Sequence, residues 1–336
     1  MSVSVLGCGH ALPAQVVPSS EVEALAGFPE GWAARHLGIA TRGRMAPEET
    51  SWDLGTRACQ GALEAAGVAA AEVDLLIAHA SCPELFYPDP AWYIARDLGL
   101  GEATRVMGLR AQCAGFVAAL DLADAYLSTG RCQRALVVCA ERMVEPALGY
   151  DRSALLFGDA AAAVVLGPGP GLRYLELRQQ PAWADRCVMT AGPMDPASWP
   201  GICPELPEHW AEGERAVPDH GRVAFWEGGH IFRNAVEGMG EATLRALEAT
   251  GLGPDAVDHY LYHQANAKIL KSILRNFSLP ADRVRSNVER VGNVSSASIP
   301  LLLSEGVATG EIRAGQRVLL GAFGSGYVLG TAILEL

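Results

Sequence analysis

Residues 62–81 read ALEAAGVAAAEVDLLIAHAS, and residues 246–265 read ALEATGLGPDAVDHYLYHQA. Set side by side without a gap they agree at 8 of 20 positions: Ala, Leu, Glu, Ala, Gly, Val, Asp and His. Similarity at one fixed offset marks a duplicated unit. Each copy predicts the end of an amphipathic helix, a Gly stop, a short acidic turn and a buried strand, Val73 to His79 in one and Val257 to His263 in the other. A weaker match extends it: RAQCAGFVAALDLADAYLSTGR (110–131) against RVGNVSSASIPLLLSEGVATGE (290–311), 4 of 22 identical, with the same apolar helix and Thr-Gly ending. This register sets Cys113 opposite Asn293. Strands RALVVCAE (134–141) and QRVLLGAFG (316–324) follow, and each half closes with Phe-Gly and a last strand, from Phe157 and from Phe323.

The chain is therefore two copies of one α/β unit, residues 1–170 and 171–336. Near-continuous apolar strands alternating with helices predict mostly parallel sheets buried on both faces. Two such sheets with helices between and outside make a five-layered body. The helices starting near Cys113 and Asn293 carry almost no charge, so they are expected in the middle layer, covered on all sides.

Composition agrees. Of 336 residues, 50% are hydrophobic and 19% charged, which excludes disorder and gives about two domains as a prior. A net charge of −12 argues against nucleic acid as a partner. No apolar run is long enough to span a membrane, and MSVSVLGCGHALP lacks the features of a signal peptide, so a soluble cytoplasmic protein is expected. Eight cysteines lie scattered without a CxxC pair or zinc-type spacing, so neither a disulfide framework nor a metal is suggested.

Cys113 stands at a helix start, where unpaired N–H groups and partial positive charge favour a thiolate. Alternatively, it is a small residue that permits close helix packing. Taken singly, His263 reads as a core histidine and Asn293 as a helix cap. Their symmetric convergence with Cys113 around one pseudo-twofold axis raises the functional reading. His79, the repeat mate of His263, has no such companions and is read as packing.

The stretches QCAGF (112–116), HQAN (263–266), GNVSSASIP (292–300) and FGSGY (323–327), in this order and spacing, resemble β-ketoacyl-[acyl carrier protein] synthase III and its relatives in the thiolase superfamily. The resemblance implies a thiolase-like five-layered αβαβα fold and a catalytic set of Cys113, His263 and Asn293. Cys113 would take an acyl group from coenzyme A or a carrier protein, and His263 with Asn293 would stabilise the enolate formed as a malonyl thioester loses carbon dioxide. The oxyanion would lie against the backbone N–H groups of Cys113 and Ser325, where the family commonly has glycine at the second position.

The resemblance further implies that Trp32 and Arg152 bracket the adenine of coenzyme A, and that Arg233 and Lys268, with Lys271 and Arg275, form the basic patch an acidic protein needs to meet an acidic carrier. A family arginine is replaced by His36, beside Arg35, and a family asparagine by Gly229. Phe86 and Tyr87, in SCPELFYPDP (81–90) with Glu84 nearby, would gate the acyl tunnel across a homodimer. No permanently bound cofactor is implied. Cys113 and His263 stand 150 residues apart, longer than in housekeeping members. The segment at about 181–226, with Trp183, Trp199, Trp210, Trp226 and seven prolines, reads as an ordered cap over the tunnel or as surface packing. Two other functions stay open: an acyltransferase or non-decarboxylative condensing enzyme on the same scaffold, and a non-catalytic partner subunit.

Overall fold

The computed structural model describes residues 3–85, 87–144, 152–189 and 224–336. The first half contributes β1 (Ser4–Ala11), β2 (Gln15–Pro18), β3 (Thr41–Arg44), β4 (Leu75–His79), β5 (Arg105–Leu109), β6 (Ala135–Glu141) and β7 (Ala160–Gly167). The second contributes β8 (Leu172–Gln179), β9 (Cys187–Met189), β10 (Ala224–Trp226), β11 (His259–Tyr262), β12 (Val284–Arg285), β13 (Arg317–Gly324) and β14 (Val328–Glu335). Two five-stranded sheets carry the fold, in the orders β1-β7-β6-β4-β5 and β8-β14-β13-β11-β12. The orders superpose strand for strand, as the duplication requires.

In each sheet four strands run the same way and one, β7 or β14, runs against them. The sheets are thus mostly parallel in direction, as expected, with one reversed strand in each. β13 passes to β14 through the three residues Ser325–Tyr327, and so short a connection permits only an antiparallel hairpin. An apolar strand buried on both faces reads the same in either direction, so the sequence carried no sign of this.

Alternation along the strands feeds three cores. Leu75, Ile77 and Val137 of one sheet and Leu261, Val318 and Leu320 of the other point at the helices Gly115–Ser128 and Ser298–Ala308 between them. Leu76, Leu136 and Val138 face the outer helices Ser51–Ala66 and Pro90–Asp97. Tyr260, Tyr262 and Leu319 face the outer helices Gly228–Thr250 and Ala267–Phe277. This is the five-layered αβαβα arrangement.

The repeated Gly stops are real: Gly67 and Gly251 each end a helix in the left-handed region, φ 62° and 67°, where glycine carries no Cβ penalty. Acidic 3-10 turns follow both, at Ala70–Glu72 and Pro254–Ala256. The middle helix Ser298–Ala308 is buried almost throughout. Val307 near its end is 41% exposed, and the partner helix Gly115–Ser128 buries Ala123 and Leu127 but turns Asp121 and Ala125 to solvent, so the expected full coverage holds for neither helix.

Candidate active site

Cys113 follows β5 in a 3-10 turn, Gln112–Ala114, that runs into the helix Gly115–Ser128. The turn is entered through Gln112 at φ 50°, a left-handed conformation uncommon for a side-chain-bearing residue. Its repeat mate Gly292 has φ 71° and enters the equivalent turn through Asn293. Both halves thus kink the chain one residue before the polar side chain they present. Gly324, at the end of β13, lies so close that a Cβ there would stand 2.9 Å from the Cys113 nitrogen and 3.1 Å from that of Ala114. A side chain there would crowd both N–H groups.

Asn293 is held by a parallel bridge to Phe157, with its N–H donating to the Leu156 carbonyl at 2.8 Å. The first half of the duplication therefore positions the asparagine of the second. Asn293 Oδ1 accepts the Ser295 N–H at 2.9 Å, which leaves its amide NH2 to be offered outward. His263 lies one residue beyond β11, buried, with its N–H donating to the Gly321 carbonyl at 2.8 Å. Its Nδ1 faces the Ser295 carbonyl at 3.1 Å and Ser298 Oγ at 3.2 Å. A carbonyl can only accept, so Nδ1 carries the proton and Nε2 a lone pair.

Ser295, which the sequence reading passed over, touches all three. Its N–H serves Asn293, its carbonyl serves His263, and its Oγ lies 3.5 Å from Cys113 Sγ. It too is left-handed, at φ 47°, a strain held in place by these bonds. Its signal in the sequence was only its place in GNVSSAS.

Burial pushes the Cys113 thiol up to about 12, Ser295 opposes this, and Glu141 and Cys187 push it further up. The helix-start effect expected to favour the thiolate does not prevail in the free protein. Burial lowers His263 to about 4, so the ring is neutral at ordinary pH.

Ser325 sits in the turn between β13 and β14, where its hydroxyl donates to the Cys187 carbonyl of β9. The side chain that replaces a family glycine thus ties the turn to the cap. Trp183 packs edge-on against His230 at 5.0 Å and Tyr327 at 5.3 Å, and His230 Nδ1 lies 2.7 Å from the Tyr327 hydroxyl. Trp226 packs on Phe157 at 6.0 Å. Trp199 and Trp210 lie outside the described residues.

Trp32 begins the helix Trp32–Leu37 and lies between Phe28 and His36 with the rings tilted, at 5.1 and 4.6 Å. It packs against the apolar cluster containing Ala154 and Leu155, in the 3-10 turn that begins at Arg152; the Arg152 side chain lies outside the described residues. Lys268, Lys271 and Arg275 are exposed along one face of the helix Ala267–Phe277, and Arg233 is exposed on the helix Gly228–Thr250, as is Gly229 in its first turn. Tyr87 is 88% exposed, and Phe86 lies outside the described residues. Glu84 accepts both the N–H and the hydroxyl of Ser51, each at 2.6 Å, and so braces the start of a helix.

The family model for 3-oxoacyl-[acyl-carrier-protein (ACP)] synthase III matches residues 107–180, and the model of its C-terminal part matches 247–336. A β-ketoacyl-[acyl-carrier-protein] synthase III of Cereibacter sphaeroides is 35% identical over 332 residues, 98% of each chain. The crystal structure of 3-oxoacyl-[acyl-carrier-protein] synthase III from Aquifex aeolicus VF5 superposes with a TM-score of 0.86 at 27% identity, covering 99% of this chain and 100% of that one. The priming β-ketosynthase of the R1128 polyketide biosynthetic pathway gives 0.84 at 29%, covering 99% and 96%. Matched from end to end in sequence and in fold, the chain belongs to the 3-oxoacyl-[acyl-carrier-protein] synthase III family and is a condensing enzyme of the acyltransferase class.

Proposed function

We propose that Cys113, His263 and Asn293 carry out a decarboxylative Claisen condensation, with the acyl group held on Cys113. The observation that carries this reading is Ser295, whose three polar groups bind one to each of the three side chains. On loading, Sγ attacks the carbonyl carbon of an acyl thioester, and the oxyanion settles on the backbone N–H groups of Cys113 and Ser325. His263 Nε2, with its lone pair, takes the thiol proton, and the departing thiolate of the carrier is protonated by solvent. The malonyl carboxylate that binds next brings the negative charge that an imidazolium needs. His263 Nε2–H and the Asn293 amide then donate to the malonyl thioester carbonyl while carbon dioxide leaves. The enolate carbon attacks the acyl-cysteine, and His263 returns the proton to the Cys113 thiolate.

The substrates of this reading are thioesters of coenzyme A or of a phosphopantetheine-bearing carrier protein, with no resident cofactor. Exposed Arg233 and Lys268 would receive the carrier, and Trp32, with the segment of Arg152 packed beside it, would receive the nucleotide. Phe86 and Tyr87 would complete the tunnel of a homodimer in the cytoplasm. The Trp-rich cap would close the tunnel, which the anchoring of Trp183 and Trp226 at its two ends supports. Incubation with a panel of acyl thioesters tests the reading: intact mass reports acyl-Cys113, and carbon dioxide release from a malonyl thioester reports condensation. An acyl-enzyme that releases no carbon dioxide would favour simple acyl transfer instead.

A further inference from the structure

Behind the nucleophile lies a second His–acid pair. His79 ends β4 and Glu141 ends β6, and both are buried, at 1% and 0% exposure. The Glu141 carboxylate is densely solvated by the protein: it accepts the Ser81 N–H at 2.8 Å, the Ser81 hydroxyl at 2.9 Å, the Ser296 N–H at 3.2 Å and the Ser296 hydroxyl, and His79 Nδ1 lies 3.4 Å away. The Ala111 N–H donates to His79 Nε2 at 3.0 Å, so the proton of the neutral ring sits on Nδ1, toward the carboxylate and Ser296. Gly115, in the first turn of the nucleophile's helix, makes room for this ring: a Cβ there would stand 2.2 Å from His79 Cδ2. Donors of this number favour the charged carboxylate.

From that anion a chain of hydroxyls runs to the thiol. Ser81 Oγ is 2.8 Å from Ser295 Oγ, which is 3.5 Å from Cys113 Sγ. Each hydroxyl has one proton. Glu141 claims that of Ser81, so the short contact between the serines must be filled by the proton of Ser295. While it donates to Ser81, Ser295 can meet the Cys113 thiol only as an acceptor; turned to donate along its 3.5 Å contact with Sγ, it gives up the link to Ser81. A thiolate would need the Ser295 proton back, which would break the chain.

We propose that Glu141, braced by His79, is a positioning residue for the nucleophile: through Ser81 and Ser295 it orients the Cys113 thiol proton and opposes its loss. The inference rests on the assignment of Cys113 as nucleophile. The negative charge of Glu141 acts in the same direction on Cys113 and favours the protonated form of His263. The other titratable groups facing this cluster are Cys187, beside Cys113, and Cys139, beside Ser296.

The test is the pH dependence of alkylation of Cys113 by iodoacetamide, read by peptide mapping. In this reaction Sγ–C forms, C–I breaks, and the thiol proton passes to buffer. Glu141→Gln should lower the midpoint by about one pH unit, a tenfold gain in rate at a fixed pH below it. Ser81→Ala leaves Glu141 its contacts with Ser296 and His79, and should also lower the midpoint, because the Ser295 proton is freed for the thiolate. Ser295→Ala removes that donor and should raise it. Damage to the fold would move all three the same way, and a thermal melt of each variant checks for it. Should Glu141→Gln not fold, the opposite shifts of Ser81→Ala and Ser295→Ala decide. Midpoints that do not move, with Cys113 still labelled, overturn the inference alone; acyl loading that survives Cys113→Ala overturns the reading of the site beneath it.

Discussion

At Cys113 two effects compete, a helix start that favours the thiolate and burial that disfavours it, and burial prevails at about 12. A thiol so placed needs a base, and in the proposed mechanism His263, neutral with its lone pair on Nε2, would meet that need. Replacing Cys113 by Ala should abolish acyl loading on intact mass, whereas Cys139→Ala, deep in β6, should leave loading intact. His263 also leaves a mark on stability. Its folded pKa is lowered to about 4 from 6.5, so between these values the unfolded chain binds a proton that the folded one refuses. The stabilisation it gives is whole above pH 6.5 and is lost as pH falls through 4, roughly 3 kcal/mol in full. Thermal melts across this window should fall less steeply in His263→Gln. Cys113, His263 and Asn293 were singled out in the sequence because the duplication brings them to related edges, and the structure gathers them around Ser295. Ser295 and Glu141 were not, since Ser295 meets Cys113 and Ser81 across 182 and 214 residues and Glu141 meets Ser81 and Ser296 across 60 and 155, and no local pattern pairs them. A charged residue closing the apolar run ALVVCAE was the one available hint.

Among the elements, the turn between β13 and β14 lies against Cys113 and is tied through Ser325 to β9. Gly324→Ala would place a methyl group 2.9 Å from the Cys113 nitrogen, and loading should drop by about 10²- to 10³-fold, the cost of losing an oxyanion donor. The close neighbours are backbone atoms that must shift, so the melt should fall by a few degrees while far-ultraviolet circular dichroism stays near wild type, which separates a plugged site from a collapsed one. If the Trp-rich segment closes a long tunnel, each added methylene gains about 0.8 kcal/mol, and octanoyl should outcompete acetyl at equal concentration on intact mass. Predominant acetyl-enzyme would return the segment to surface packing. The two-sided anchoring of the cap by Trp183 and Trp226 was foreshadowed by its tryptophan content, but not the bond from Ser325 to the Cys187 carbonyl, which depends on a turn and a strand 138 residues apart meeting in space.

Across the whole molecule, the site exists only where the two copies meet. Phe157 of the first holds Asn293 of the second, and Ser295 of the second reaches back to Cys113 of the first. The repeat made the layer order readable, since two like units must stack like layers; the reversal of β7 and β14 stayed hidden, because burial patterns do not encode direction. In the proposed mechanism Asn293 and His263 serve condensation on an acyl group that Cys113 already holds. The decisive measurement is the single-turnover reaction of preformed acyl-enzyme with a malonyl thioester, following carbon dioxide release and loss of the acyl mass together. Asn293→Ala should load its acyl group within about tenfold of the wild-type rate but condense about 10²-fold or more slowly; condensation at the wild-type rate in that variant would rule the mechanism out.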